Sequence, residues 1–173
     1  MKVNEIMLKM ISESAGNLAD IEHYVKVTCY ARMIAEAEGL DEKTKWLCEA
    51  EAIVHDISCP LCRKKYGNTN HKMQEKESEA LLREFFSGSD VSDEDLERII
   101  TVISRHHSPE RIDGIDNQIL IEADYLVNAN QSNYQPSTIL TFRNTYFRTA
   151  CGTRMLDLMY AEKLREAEKN RTA

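Results

Sequence analysis

The sequence predicts an all-α fold, an irregular bundle of helices. Six Gly and three Pro in 173 residues leave room for long uninterrupted elements. The wealth of Ala, Glu, Lys, Leu and Met favours helix in them. Apolar residues recur at the three-to-four spacing of a helix face, and no segment holds the period-two alternation of a strand. The length suits one domain with a full hydrophobic core. It is read as a single unit over 1–173, with its core about 18–130 and C-terminal helices about 136–170 packing on it.

Ile6, Met7, Met10 and Ile11 share one face of a short first helix, which Gly16-Asn17 breaks. Asp20 is a candidate N-cap for a helix that runs to Glu38 and stops at Gly39, with Ile21, Val25, Thr28, Ile34 and Ala35 as its core stripe. Asp41 caps the next, through Trp46, Leu47, Ala50, Ile53 and Val54 to Ile57. This helix is apolar on more than one side over its last two turns, so it should be central. Pro60, Gly67 and two Asn make Ser58–Asn70 a long loop, of the kind that often carries function. A helix from Lys72 to Phe86 follows, with His71 in the loop before it. Ser92-Asp93-Glu94-Asp95 caps another, which His106 and His107 close. Gln118 to Asn128 is short, apolar and interrupted by Glu122 and Asp124, carboxylates that are expensive to bury unpaired. Two helical segments finish the chain, the last from Thr153 to about Glu168.

Twenty-two basic against 29 acidic residues give a net charge of −7. That disfavours a nucleic-acid backbone as the main partner. No apolar run approaches membrane-spanning length. The N-terminus lacks the apolar core of a signal peptide. Five cysteines, an odd number set mostly in helices, suit a reducing cytoplasm. No membrane partner is expected, and a homodimer is an allowed assembly.

The chemistry gathers on Ala50–Ile57, an apolar run ending in the doublet His55-Asp56. A doublet alone is a weak motif. Asp56 is informative because an acid in the last turn of a helix is opposed by the helix dipole and needs a compensating cation. His23 on an earlier helix and Asp124 on a later one complete a set of two imidazoles and two carboxylates. Such a mixed N and O set matches Mn, Fe, Co, Ni, Zn or Mg, and helical bundles build metal sites from facing side chains in this way. Taken singly, each residue also has a structural reading: His23 on the surface near a helix start, Asp56 at a helix end, Asp124 as a satisfied buried acid.

The order His, His-Asp, Asp on a helical chain resembles the HD-domain superfamily of metal-dependent phosphohydrolases. Lys65-Tyr66-Gly67, Gln74-Glu75-Lys76-Glu77, Arg105-His106-His107 and the run Ile119 to Asn128 look like a small bacterial branch of undefined substrate. Phe147-Arg148-Thr149 and Gly152 fit that branch too. The resemblance implies an irregular bundle of the HD type, with His23, His55, Asp56 and Asp124 holding one divalent ion. It also implies that a second ion, where present, shares Asp56 and is held by histidines between the doublet and the last Asp. The candidates are His71, Glu75, His106 and His107. Adjacent residues of a helix point about 100° apart, so one of His106 and His107 should face the site.

The activity implied is hydrolysis of a small phosphorylated metabolite or nucleotide by an activated water. Asp56 would orient that water or bridge the metals, and His107 or Glu75 would carry a proton. Arg63, Lys64 and Lys65, on the loop leaving the doublet, are candidates to hold the substrate phosphate. Arg105, Arg111 and Arg148 are weaker ones. Cys59-Pro60-Leu61-Cys62 lacks the second ligand pair of a zinc site and the βαβ setting of a redox pair, and reads as two ordinary thiols. Two other readings stand beside the hydrolase: a regulatory HD-like domain that binds a ligand without turnover, and a helical interaction protein whose histidines are incidental.

Overall fold

The computed structural model describes residues 1–172, with side chains through residue 170. Among the described residues the protein is α-helical throughout, with no strand. The helices are α1 (Val3–Glu13), α2 (Leu18–Ala37), α3 (Glu42–Val54), α4 (Cys59–Tyr66), α5 (His71–Phe86), α6 (Asp93–Ile103), α7 (Gly114–Gln131), α8 (Pro136–Tyr146), α9 (Ala150–Met159) and α10 (Ala161–Thr172). A single 3-10 turn, Pro109–Arg111, precedes α7.

Helices α2, α3 and α7 pack on one another at the centre, with α1 and α6 against α3 and α9 against α2 and α7. Val27, Ile34, Ile53, Leu120 and Leu126 are fully buried there. Each such side chain stabilises the fold by about 1.5–3 kcal/mol relative to exposure. The apolar cluster runs without a break from Ile6 to Ala167, so the C-terminal helices share it. No described helix is long and apolar enough to cross a membrane.

Several boundaries differ from the sequence reading, each for a local reason. The turn that ends α1 passes through Ala15 and Gly16 at positive φ, and α2 begins directly after it. Asn17, not Asp20, is therefore the N-cap, its side chain accepting from Asp20 N at 3.4 Å. Asp41 caps α3 as expected, through Lys43 N and Thr44 N. That helix stops at Val54 because the backbone tightens to three-residue bonds, Ile57 N to Val54 O at 3.0 Å and Cys59 N to Asp56 O at 2.9 Å.

The expected long loop after the doublet is mostly α4. Pro60 occupies its first turn, where an N–H has no helical partner to lose, and Gly67 ends it at φ +71°. The true connection is only residues 67–70. Helix α6 ends at Ile103, and residues 104–107 form a turn in which Ser108 N donates to Arg105 O at 2.8 Å. Helix α7 is longer than expected at both ends, with twelve of its eighteen residues buried. The C-terminal region holds three helices rather than two. Tyr160 stands between α9 and α10, its hydroxyl held by Leu126 O at 2.6 Å on α7.

Candidate metal centre

Four side chains from three neighbouring segments converge at the middle of the bundle. His23 comes from the second turn of α2, His55 and Asp56 from the tight turn ending α3, and Asp124 from α7. His23 Nε2 lies 3.1 Å from His55 Nε2 and 3.1 Å from Asp124 Oδ1. Asp56 Oδ2 lies 3.8 Å from His23 Nε2 and 3.6 Å from His55 Nε2, and His55 Nε2 is 3.6 Å from Asp124 Oδ1. Ligands 2.0–2.2 Å from a common ion stand about 3.0 Å apart at right angles and about 3.5 Å apart at the tetrahedral angle. The observed separations fall in and just beyond that span.

The remaining ring nitrogens fix what faces inward. His55 Nδ1–H donates to Ala52 O at 2.8 Å, so its Nε2 presents a lone pair. His23 Nδ1–H donates to the carboxamide oxygen of Gln131 at 2.8 Å. A neutral His23 would thus aim a second lone pair at the first, with two carboxylates beside them. Such a cluster requires a cation, either a metal ion or a proton on His23. Burial works against a charge on His23, but Asp124 and then Asp56 outweigh it and raise the imidazole to about 9. Both carboxyls are correspondingly held below their ordinary range against the opposing effect of burial: Asp56 by His55, His106 and His23, and Asp124 by His23, His55 and His106. The residues therefore fit a divalent ion.

A second group shares Asp56. Asp56, His106 and His107 each offer a ligand atom within 4.8 Å of the others. His106 Nδ1–H donates to Ile103 O at 2.7 Å, which leaves Nε2 buried with no partner; His107 Nδ1 is buried and unpartnered as well. The expectation that only one of these histidines turns inward does not hold. They lie in the turn after α6 rather than on the helix, and their ring centroids come within 3.8 Å. Burial, then His106 and His71, push the His107 imidazole down to about 3, so it is neutral.

The other sequence candidates separate by position. His71 is the first residue of α5, not a loop residue; it is exposed and stacks on His107 with centroids 3.9 Å apart. Glu75, one turn on, is brought into neither ligand group nor the lining of the cavity that opens over the centre. Its neighbour Gln74 takes that face, bridging Thr69 O and the Cys59 thiol. Of the basic run only Arg63 lines the cavity, paired with Asp20. Helical geometry sends the other two away: Lys65 binds Glu77, and Lys64 is exposed. Arg105, Arg111 and Arg148 do not line it either. Cys59 does; its thiol donates to Gln74 Oε1 at 3.4 Å, and burial and then Asp56 push it up.

Two supporting residues escape the sequence reading. Asn128 Nδ2 donates to Asp124 Oδ1 at 2.8 Å, and Gln131 holds His23. Asp124, Asn128 and Gln131 are spaced i, i+4, i+7, one face of a helix, and that spacing was the available signal. Glu122 has a different task. Fully buried, it accepts from Gln118 Nε2 at 2.7 Å, from the backbone of Arg148 and Thr149 at 2.6 and 3.0 Å, and from the Thr149 hydroxyl. It fixes the corner between α8 and α9.

The sequence model of one protein family, described as the HD domain, matches residues 20–129. No curated protein and no solved structure matches the chain.

Proposed function

Because the chain belongs to the HD-domain family, we propose that it is a metal-dependent phosphohydrolase acting on a small phosphorylated metabolite or nucleotide. The observation that carries this is the convergence of two imidazole Nε2 atoms and two carboxylate oxygens at 3.1–3.8 Å, with the outer nitrogens already spoken for. A divalent ion held there supplies Lewis-acid polarisation of a phosphoryl oxygen and a lowered pKa for water.

The chain's own residues do the rest. Gln131 and Ala52 O orient the two imidazoles, and Asn128 steadies Asp124. Asp56 belongs to both ligand groups, so it is the natural bridge and the carboxylate best placed to orient an attacking water. His106 and His107 offer unprotonated nitrogens for a second ion. His107 is better suited to accept a proton than to give one, because its environment keeps it neutral. Arg63, held at the rim by Asp20, is the group assigned to the substrate phosphate. A reducing, cytoplasmic setting is part of the reading, supported by five cysteines that are all free.

The test is a panel of phosphoesters offered to protein loaded with Mn, Co, Ni or Mg, beside His55→Ala and Asp56→Ala. Turnover by wild type and its loss in both folded variants is expected, because each removes a ligand of the ion. Metal binding with no turnover on any ester would replace the enzyme by a ligand-binding domain.

A further inference from the structure

The cavity over the metal centre has a volume of about 900 Å³, which places it among ligand-sized sites. Its lining joins two chemistries. One part is the histidines, Asp56, Asp124 and Arg63; the other is an aromatic wall of Tyr125, Tyr134 and Phe142 supplied by α7, α8 and the turn between them. Tyr125 and Phe142 stack with centroids 3.8 Å apart and planes 8° from parallel. Tyr134 stands 5.6 Å from Tyr125. Tyr134 and Phe142 are only half-buried. The wall also adjoins the reacting end. Tyr125 follows Asp124 in sequence, and Tyr134 is near enough to that carboxylate for its charge to add to burial in raising the phenol.

Building on the hydrolase reading, we propose that this wall seats the leaving group and that the substrate is a monophosphate ester of an alcohol bearing a planar ring. Flat rings stack on such surfaces, and the stacking is worth about tenfold or more in affinity for one good contact. Ser132 and Thr138 also line the cavity, Thr138 beside the wall through the Tyr125 hydroxyl, which donates to its carbonyl at 3.3 Å, and their hydroxyls can meet heteroatoms on the ring edge. The single phosphate follows from charge. Among the described lining residues Arg63 is the one guanidinium or ammonium group, and Asp20 already neutralises it. Beyond the ion centre, a diphosphate or triphosphate tail would bring further negative charge with no side-chain cation of the lining left to receive it.

The experiment compares kcat/KM of the metal-loaded protein for adenosine 5′-monophosphate, pyridoxine 5′-phosphate, ribose 5-phosphate and adenosine 5′-triphosphate. These share a primary alcohol ester and differ in ring and charge. Wild type should prefer at least one ring-bearing monophosphate over ribose 5-phosphate by about tenfold or more, and over the triphosphate. Phe142→Leu and Tyr134→Leu keep apolar volume without a flat face; with folding checked by circular dichroism, each should shrink that preference severalfold. Preference for the nucleotide assigns a nucleoside ester, and preference for the pyridoxine ester a small heteroaryl one. Equal rates on ribose 5-phosphate and both ring esters would overturn the inference while leaving the hydrolase reading intact. If no ester turns over, that reading falls, and calorimetric binding of the same four compounds decides the subsite: equal affinities with and without a ring would refute it.

Discussion

Gln131 gives a sharp test of how the centre is built, because it acts on the ion site through His23. Its carboxamide oxygen accepts the His23 Nδ1–H at 2.8 Å across 108 residues of sequence, and that bond sets which nitrogen of His23 faces inward. Gln131→Met keeps length and helix propensity but removes the acceptor. Partners of this kind contribute about 10–100-fold to metal affinity, equivalent to about 1.4–2.7 kcal/mol. Gln131→Glu should act in the opposite direction, since a carboxylate acceptor makes the imidazole more basic toward the ion. The assay is competition for Mn or Zn against a calibrated chelator. Because Gln131 is exposed at the end of α7, the Met variant should unfold within about 0.5 kcal/mol of wild type once the metal is removed. A dissociation constant within twofold of wild type for Gln131→Met, or weaker binding by Gln131→Glu, would refute the assigned tautomer and the support role together.

Three further outcomes follow from buried groups. In metal-free protein, the raised His23 contributes stability that is fully present below its ordinary 6.5 and lost as pH climbs through about 9. The loss is on the order of 3 kcal/mol, and thermal unfolding across pH 6–10 should show it, with added metal abolishing the dependence. The lowered Asp56 and Asp124 work at the other end: their stabilisation fades as pH falls below the ordinary carboxylate range, so the metal-free protein should be most stable near pH 5–6.5 as far as this cluster decides. Gly152→Ala should destabilise by about 2–3 kcal/mol, read as a lower midpoint in urea. Its added Cβ would strike Glu122 Oε2 and lie 2.6 Å from Thr149 Oγ1, both fixed by hydrogen bonds.

Glu51 offers a stabilising change. It is fully buried with neither carboxyl oxygen hydrogen-bonded; burial and then the nearby Asp116 push its carboxyl well up. The cost of that burial grows as pH rises above 4.5, so Glu51→Gln should gain about 1–3 kcal/mol at pH 7–8 and little at pH 4. Chemical denaturation at both pH values checks it.

The four converging side chains were legible in the sequence because their types are conspicuous on helices that otherwise bury apolar faces. Two imidazoles and two carboxylates on such helices need a reason to be there. What was not legible depends on where helices stop. Pro60 and Gly67 read as loop markers, yet one begins α4 and the other ends it. His106 and His107 should have diverged on a continued α6; the helix instead ends at Ile103, and the turn that follows gathers both rings. Glu75 and Gln74 are adjacent polar residues on α5, and nothing in their types says which faces inward. Gln131, a polar residue at a helix end, looks like ordinary surface until its partner on α2 is known.

The most direct test of the account is X-ray absorption on protein loaded with one equivalent of zinc. The account predicts only nitrogen and oxygen neighbours at about 2.0–2.2 Å, with the outer-shell pattern of two imidazoles that drops to one in His55→Ala. A sulfur neighbour at about 2.3 Å, or a wild-type spectrum that His55→Ala leaves unchanged, would contradict it.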